Sequence, residues 1–198
     1  MNVKSRKAEQ SEATRAALIE AARSLFAQRG FKAVSTEEIV QRARVTRGAL
    51  YHHFRGKEDL FRAVFEQVEA ELTEQIATQA MTTADPWEAM RAGAQAFLDA
   101  CLDPAVQQIT LLDAPSVLGW EQWREIGQRY GLGLVQASLQ AAMDGGQLAP
   151  QPVRPLAHLL MGALDEAAML VARADDVAAT RKEVGETLER YLAGLKQS

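Results

Sequence analysis

The chain has 198 residues and a formal net charge of −4 at pH 7, with 47% hydrophobic and 6% aromatic residues. This hydrophobic fraction is large enough to build a folded core, which argues against a disordered chain. A single cysteine, Cys101, excludes an internal disulfide, a four-cysteine zinc site and an iron–sulfur cluster. The sequence contains neither an uninterrupted apolar run of membrane-spanning length nor a secretory signal, which predicts a soluble, cytoplasmic protein.

Charge is distributed unevenly along the chain. Residues 1–65 contain 13 Lys and Arg against 7 Asp and Glu, whereas residues 66–198 contain 9 against 19. A basic N-terminal segment followed by an acidic remainder is typical of a protein whose N-terminal part binds a polyanion. Chance clustering of charges is the alternative interpretation.

The first predicted helix runs from about Ser11 to Arg29. Apolar residues recur there at i, i+3 and i+4 spacings from Leu18 to Phe26, and Gly30 stands where a helix is expected to end. Residues 1–12 are expected to form a flexible basic tail.

Two short helices follow. Ser35 and Glu38 have the spacing of a capping box, which predicts a helix as far as Arg42 or Ala43. After a brief turn, Thr46 is the expected N-cap of a helix over Arg47–His53. Two short helices separated by so short a turn predict a helix-turn-helix.

Six further helices are predicted in the rest of the chain, and no segment has the alternating pattern of a strand. The first three of these helices have clear start signals: Gly56 precedes a long helix, and Asp-Pro pairs at Asp85 and Asp103 begin the next two. Pro115–Gly119 is predicted to be a loop, and Ala149–Pro155, which holds three prolines, is the clearest linker. The expected fold is therefore all-α with nine helices, the last six beginning at about Lys57, Asp85, Asp103, Trp120, Arg154 and Asp176.

The segment Thr14 to Phe65 resembles the DNA-binding domain of tetracycline-repressor-like (TetR/AcrR) transcriptional regulators. Its most specific part, T-R-G-A-L-Y-H-H-F-x-x-K-E-x-L, runs from Thr46 to Leu60. The resemblance implies a two-domain architecture, with a three-helix helix-turn-helix domain over 13–56 and a helical effector-binding and dimerisation domain over 57–198. Further matching residues are Leu25-Phe26, Gly30-Phe31, Ser35-Thr36, Ile39, Ala43 and Val45.

The helix Arg47–His53 is the predicted DNA-reading element. Leu50 and Phe54 are four residues apart and are expected to face inward, leaving the other side chains exposed. Residues at the N-terminus of such a helix reach base edges, and arginine can pair with guanine through two hydrogen bonds. The predicted DNA-contacting residues are Thr36, Arg44, Thr46, Arg47, Gly48, Ala49, Tyr51, His52, His53 and Lys57.

Some of these positions have alternative interpretations. Tyr51 could instead be a packing residue, and the adjacent His52 and His53 could instead be metal ligands. Consecutive helical residues point about 100° apart and no further ligand is close in sequence, which disfavours a metal. Lys4, Arg6 and Lys7 belong either to a disordered tail or to an arm in the DNA minor groove.

Arg44 departs from the family pattern, which usually has glycine at this position of the turn. If the turn requires a left-handed residue, arginine costs on the order of 1 kcal/mol relative to glycine. The capping signals on both sides predict that the turn forms nevertheless.

The acidic remainder is expected to dimerise and to bind a small-molecule effector. The helix from about Arg154 to Ala174 is apolar on opposite sides, which predicts burial both in the protomer and against a partner subunit. The last helix has one apolar stripe, and the resemblance implies that both helices form a four-helix bundle with those of the partner subunit. A purely intramolecular core is the alternative interpretation. The expected dimer-interface residues are Leu160, Ala163, Leu164, Ala167, Val171, Val184, Leu188, Tyr191 and Leu195. The candidate effector-binding residues are Phe97, Cys101, Leu112, Trp120, Trp123, Tyr130, His158, Met161 and Asp165.

The predicted function is a homodimeric, ligand-responsive repressor that binds palindromic operator DNA, with no cofactor. An enzyme is disfavoured because His158 and Asp165 are seven residues apart on one helix, which is about 10.5 Å. Gly131-Leu132-Gly133 has no preceding strand, as a dinucleotide-binding loop requires. The remaining alternative is a DNA-binding protein on the same scaffold, either a nucleoid or cell-division factor or an activator, without an effector.

Overall fold

The computed structural model describes the backbone of residues 3–196 and the side chains of residue 6 and residues 8–196. Within this part of the chain the architecture is all-α, with nine helices and one isolated antiparallel bridge between Leu148 and Lys196. The fold class predicted from the sequence is therefore confirmed. The helices are α1 Val3–Arg29, α2 Thr36–Ala43, α3 Arg47–His53, α4 Lys57–Ala80, α5 Pro86–Ala100, α6 (the consecutive segments Pro104–Val106, Gln107–Asp113 and Ala114–Leu118), α7 Trp120–Asp144, α8 Val153–Ala172 and α9 Val177–Ala193.

The N-terminal tail differs from the prediction, because α1 begins at Val3 rather than at Ser11. Residues 3–12 contain neither glycine nor proline and are rich in lysine, arginine, glutamate, glutamine and alanine, which are good helix formers. An established helix extends through such residues at little cost. Arg6 is exposed, and the side chains of Lys4 and Lys7 lie outside the described residues.

The predicted loop Pro115–Gly119 is also corrected, because the helix continues to Leu118 and ends at Gly119. The preceding turns, Gln107–Asp113, are π-helical, and the Ala114 N–H donates to the Ile109 carbonyl, five residues back. A π-helical segment changes the hydrogen-bond register just before Pro115, whose missing N–H would interrupt an ordinary α-helical ladder. The chain can therefore remain helical past the proline.

The chain divides into two compact units. The head unit contains the residues up to Val68 together with Pro104–Gln122. The body unit contains Glu69–Asp103 together with the residues from Trp123 onward. The division falls within α4, between Val68 and Glu69.

Aromatic packing forms the centre of the head unit. The rings of Phe26, Phe31 and Phe61 contact one another pairwise, with centroids 5.2–5.6 Å apart. Gly30 ends α1 with a φ of 74°, a left-handed conformation that glycine adopts without strain. The next backbone N–H, of Phe31, donates to Asp113 Oδ2 at 2.7 Å, so α6 is hydrogen-bonded to the turn that follows α1.

In the body unit, α5 packs against α8 and α9. Polar side chains reinforce the contact between α5 and α9: Gln95 Nε2 donates to Glu189 Oε1 at 2.8 Å, and Arg91 Nε donates to Glu189 Oε2 at 2.6 Å. Arg181 forms an ion pair with Asp99 at 2.7 Å. These bonds position the final helix against α5.

Helix α8 is long and apolar enough to cross a membrane by length and composition, and it is the one such helix among the described residues. However, Asp165 and Glu166 stand within it, and Leu156, Leu160 and Ala168 are buried in the body unit. A core helix of a helical bundle has the same composition, so this feature is weak evidence for a membrane span.

Candidate nucleic-acid interface and effector site

A complete capping box fixes the start of α2. The Glu38 N–H donates to Ser35 Oγ at 3.2 Å, and the Ser35 N–H donates to Glu38 Oε2 at 2.9 Å. Hydrogen bonds from the Ser35 backbone, and then from Arg29, lower the pKa of Glu38 to about 2. The capping box predicted from the sequence is therefore confirmed.

Arg44 occupies the left-handed region, with φ 56° and ψ 40°. Among the described residues it is the one residue other than glycine with a positive φ. Its N–H donates to the Gln41 carbonyl at 3.2 Å, and the N–H of Val45 donates to the Val40 carbonyl at 3.0 Å. The turn between α2 and α3 thus forms without glycine, and the Arg44 side chain is exposed.

Helix α3 presents one buried face and one exposed face, as its sequence predicts. Leu50 and Phe54 are only 0% and 4% exposed. Thr46 caps the helix by accepting a hydrogen bond from the Ala49 N–H at 3.2 Å. The α3 residues predicted to reach DNA differ in exposure: Arg47, Gly48 and His52 are exposed, Tyr51 is 48% exposed, and Ala49 and His53 are half-buried.

Arg47 lies between a carboxylate and an aromatic ring. Its Nη1 is 3.3 Å from Glu37 Oε1, and its guanidinium carbon is 5.6 Å from the centre of the Tyr51 ring. The Glu37 backbone N–H, the Thr36 hydroxyl and Arg47 together lower the pKa of Glu37. Because both side chains of the ion pair are exposed, the pair contributes little to stability.

The two adjacent histidines form a ring contact, with the centroids of His52 and His53 5.1 Å apart. Among the described residues, no group of three or more His, Cys, Asp or Glu side chains could hold a metal ion. The arrangement leaves His52 at the surface of α3, where it can donate or accept a hydrogen bond.

Lys57 begins α4 and points toward the segment between α1 and α2. Its ammonium donates to the carbonyls of Phe31 at 2.9 Å and Val34 at 2.8 Å, and lies 4.1 Å from the centre of the Phe31 ring. Two of the three ammonium protons therefore bind the protein's own backbone. At most one remains for a phosphate.

The candidate effector residues are divided between the two units. Phe97, Cys101, Trp123, Tyr130, His158, Met161 and Asp165 belong to the body unit, and among them Cys101 and Trp123 are buried. Leu112 and Trp120 belong to the head unit and are 39% and 57% exposed. The structure thus gathers seven of the nine in one unit.

The candidate effector residues chosen from the sequence do not include a buried carboxyl group of the body unit, that of Glu69. Glu69 on α4 is 8% exposed, and burial, followed by the charge of Asp165, raises its pKa to about 8. Burial also raises the pKa of Asp165 to about 6, opposed by Arg124, whose Nη1 is 3.7 Å from Asp165 Oδ2. The signal was available: Glu69 lies four residues after Phe65 and three before Leu72, on the apolar stripe of α4.

Comparisons with known proteins agree along nearly the whole chain. A model of tetR-family bacterial regulatory proteins matches residues 18–64, and a model of tetracyclin repressor-like C-terminal domains matches residues 87–195. The TetC protein of transposon Tn10 from Escherichia coli is 31% identical over 82% of both chains. The chain belongs to the tetracycline-repressor (TetR) family.

Solved structures share this fold. A TetR-family transcriptional regulator from Pectobacterium atrosepticum is 35% identical, with a TM-score of 0.86 over 96% of this chain and 97% of that one. RolR, solved in complex with resorcinol, has 22% identity and a TM-score of 0.74 over 93% of this chain and 89% of that one, which shows a shared fold. The regulator AcrR of Shigella flexneri is 38% identical over 42% of this chain and 39% of its own.

This TetR-family chain is therefore a DNA-binding transcriptional regulator. Members of the family are soluble proteins that regulate transcription, bind operator DNA and function as dimers.

The dimer-interface candidates, on α8, α9 and just after α9, fall into three groups by exposure. Leu160, Leu164, Val171 and Leu188 are buried within the protomer, whereas Tyr191 is 42% exposed. Ala163, Ala167, Val184 and Leu195 are half-buried. The large exposed apolar side chains on α8 are Leu159 and Leu170, at 66% and 57% exposed.

Proposed function

We propose that this TetR-family regulator is a homodimeric repressor that binds a palindromic operator and is released from it by a small-molecule effector. Residues 13–56 supply the DNA-binding surface, and residues within 57–198 supply dimerisation and effector binding. The protein acts in the cytoplasm, and the function requires neither a cofactor nor catalysis.

The proposal rests mainly on the two faces of α3, one of which is buried and the other exposed. Leu50 and Phe54 anchor the helix, while Arg47 and Gly48 at its N-terminus are exposed. A helix presented in this way can enter the major groove with its first residues at the base edges. A dimer presents two such helices to half-sites about 34–36 Å apart, which explains a palindromic operator.

The surrounding residues fit roles at the phosphates. Arg44, Tyr51 and His52 have exposed side chains beside Arg47 in sequence, and Thr36 and Thr46 start the two helices of the motif. Contacts to phosphates orient the protein, and contacts to bases select the sequence. We therefore propose that Arg47 determines base preference and that Arg44, Tyr51, His52 and His53 strengthen binding to all sequences.

Dimerisation uses the exposed apolar side chains of α8 and α9. Leu159, Ala163 and Leu170 have i, i+4 and i+11 spacing, so they share one face of α8. Tyr191 adds an exposed aromatic ring on α9. Effector release is supported by the fold, since RolR has been solved with a bound small molecule.

The test is a binding titration against DNA upstream of the protein's own gene, at several salt concentrations and against scrambled DNA. We expect specific binding that weakens as salt rises, because phosphate contacts release counterions. Arg47→Ala should cost about 1–3 kcal/mol at the operator and relax base preference. Arg173→Ala, which removes an exposed arginine at the end of α8, is the matched control.

Equal affinity for operator and scrambled DNA would contradict the proposal, as would binding without salt dependence. A reporter gene behind the operator distinguishes repression from activation: deletion of the regulator should raise reporter expression.

A further inference from the structure

Glu37 places a negative charge beside the side chain that is expected to select the operator sequence. It is the second residue of α2, and its side chain is 62% exposed. Its Oε1 lies 3.3 Å from Nη1 of Arg47, the first residue of α3. A carboxylate repels phosphate, so this charge opposes binding to DNA in general. Its place at the start of α3 therefore calls for a role other than attraction to DNA.

The fold of the head unit does not depend on this carboxylate. The neighbouring Glu38, and not Glu37, completes the capping box with Ser35. Glu37 accepts a hydrogen bond from the Thr36 hydroxyl, at 3.1 Å, and pairs with Arg47. An ion pair between two exposed side chains contributes little to stability. Removal of the Glu37 charge is therefore compatible with a folded protein.

Glu37 engages one nitrogen of the Arg47 guanidinium and leaves a pair of donors for DNA. A guanidinium has five N–H donors in a rigid planar fork, and the ion pair is made through Nη1. The Nε and Nη2 donors form a separate edge, which can pair with O6 and N7 of a guanine. A hydrogen bond with Tyr51, and then the charge of Glu37, raise the pKa of Arg47. Two neighbouring side chains thus orient this guanidinium before it meets a base.

Phosphates and bases make different demands on Arg47. To bind a phosphate to the side of α3, the guanidinium must leave Glu37, whose carboxylate then stands uncompensated near the DNA backbone. To bind a guanine through Nε and Nη2, it can keep Nη1 at the carboxylate. Every sequence offers phosphates, whereas the matching base is present at the operator and only by chance elsewhere. The carboxylate therefore lowers affinity for random DNA more than affinity for the operator.

We propose that Glu37 is a specificity-determining residue, which positions Arg47 for a base edge and disfavours contact between Arg47 and phosphate on random DNA. Glu37 itself acts through Arg47 and contacts no base. This inference rests on the proposed function, because it assumes that Arg47 reads base edges. It adds an acidic residue of α2, outside the reading helix, to the residues that separate operator from random DNA.

The test measures binding of the full-length protein to the operator and to a random-sequence duplex of equal length, by fluorescence anisotropy at several salt concentrations. Glu37→Gln keeps the size of the side chain and removes its charge. We expect this variant to bind the random duplex at least about threefold more tightly, with a logarithmic salt slope steeper by about 0.9, because Arg47 gains one phosphate contact. Operator affinity should rise less, so the ratio of operator to random affinity should fall at least about twofold.

Single-base variants of the operator show whether the effect acts through Arg47. The base pair at which Arg47→Ala relaxes preference is the one that Arg47 contacts. At this base pair Glu37→Gln should lose less affinity on substitution than the wild type does, because the released guanidinium can turn to a phosphate. At the other base pairs the two proteins should lose equal affinity.

Glu74→Gln is the matched control, because it removes the same charge from an exposed glutamate of α4 in the body unit. Both affinities and the salt slope should stay near those of the wild type, which separates a local effect from a change in net charge. Urea denaturation completes the comparison. A merely structural Glu37 would lower the free energy of unfolding on substitution and leave the affinity ratio unchanged.

An equal rise of both affinities in Glu37→Gln would mean simple repulsion between Glu37 and DNA, and it overturns the inference. Unchanged or weaker binding to the random duplex overturns it as well. The wild type decides on the proposed function separately. No preference of the wild type for the operator refutes the proposed function, whereas a wild-type preference that Glu37→Gln leaves intact refutes only this inference.

Discussion

Arg44 holds the turn between α2 and α3 in a left-handed conformation, with φ 56°. An L-residue there brings its Cβ close to backbone atoms, whereas glycine does not. Arg44→Gly should therefore raise the free energy of unfolding by about 1 kcal/mol, measured by urea denaturation.

Arg44→Ala is the control, because alanine also has a Cβ and loses only the guanidinium. It should not stabilise the protein. Equal stabilisation by glycine and alanine would mean that repulsion by the arginine charge, not backbone strain, is the cause.

Lys57 illustrates how the structure changes the expectation for a residue. A phosphate contact alone predicts weaker DNA binding without loss of stability. Because its ammonium donates to the Phe31 and Val34 carbonyls, Lys57→Met should instead lower the free energy of unfolding by about 1–3 kcal/mol.

Chemical denaturation measures this effect, and Lys32→Met, at an exposed lysine of the same segment, is the control. Unchanged stability together with a shallower salt dependence of DNA binding would support a phosphate contact as the main role of Lys57.

Hydrogen bonds around the helix-turn-helix show which side-chain contacts can be predicted from the sequence alone. The capping bonds of Ser35 and Thr46 join residues three apart, so a local pattern identified them. The Lys57 bonds reach back 23 and 26 residues, and no local pattern encodes them. The left-handed conformation of Arg44 was expected only conditionally, from the glycine that the TetR family usually has at this position.

The buried carboxyl of Glu69, on α4, makes the stability of the protein depend on pH. Its pKa is about 8 in the folded protein, against 4.5 in the unfolded chain, and that of Asp165 is about 6 against 3.8. Between these values the folded state keeps a proton that the unfolded state has lost. The free energy of unfolding should therefore fall as pH rises from 4.5 to 8, by at most about 1.4 kcal/mol per pH unit for Glu69.

Urea denaturation across this pH range checks the slope. Glu69→Gln should remove its share of the slope, so that the variant matches the wild type near pH 4.5 and exceeds its stability at pH 8. Glu74→Gln should follow the wild type throughout. A flat profile for the wild type would contradict the raised pKa.

Helix boundaries were predictable where stop and start signals are local. Gly30 ends α1 as expected, and Asp85 caps α5 through the Glu88 N–H at 3.0 Å. The start predicted for α1, Ser11, was wrong because residues 3–10 lack an apolar stripe, although their helix propensity is high. The end predicted for α6, before Pro115, was wrong. A proline usually interrupts a helix, and the sequence gives no clear signal of the π-helical segment that precedes Pro115.

At the scale of the whole molecule, dimerisation through α8 should depend on its exposed leucines. The double variant Leu159→Glu, Leu170→Glu places two charges on this face and should weaken the dimer at least about tenfold, measured by sedimentation equilibrium. The folded protomer should persist because both side chains are exposed. Operator affinity should fall as the dimer weakens, since a monomer contacts one half-site.

Met81→Glu is the matched control, because Met81 is 83% exposed and lies in the turn after α4, away from α8 in sequence. An unchanged dimer in the double variant would place the interface on another surface.

The hydrogen bond from the Phe31 N–H to Asp113 has a consequence for protein engineering. Joining the N-terminal helices of this protein to the C-terminal domain of another at a single point would make a chimeric regulator. In this chain a splice within α4 would separate Phe31 from Pro104–Gln122 and leave a half-buried N–H without its acceptor, at a cost of about 1–3 kcal/mol. A graft that transfers operator recognition intact must therefore carry two pieces of the chain, the second containing Asp113.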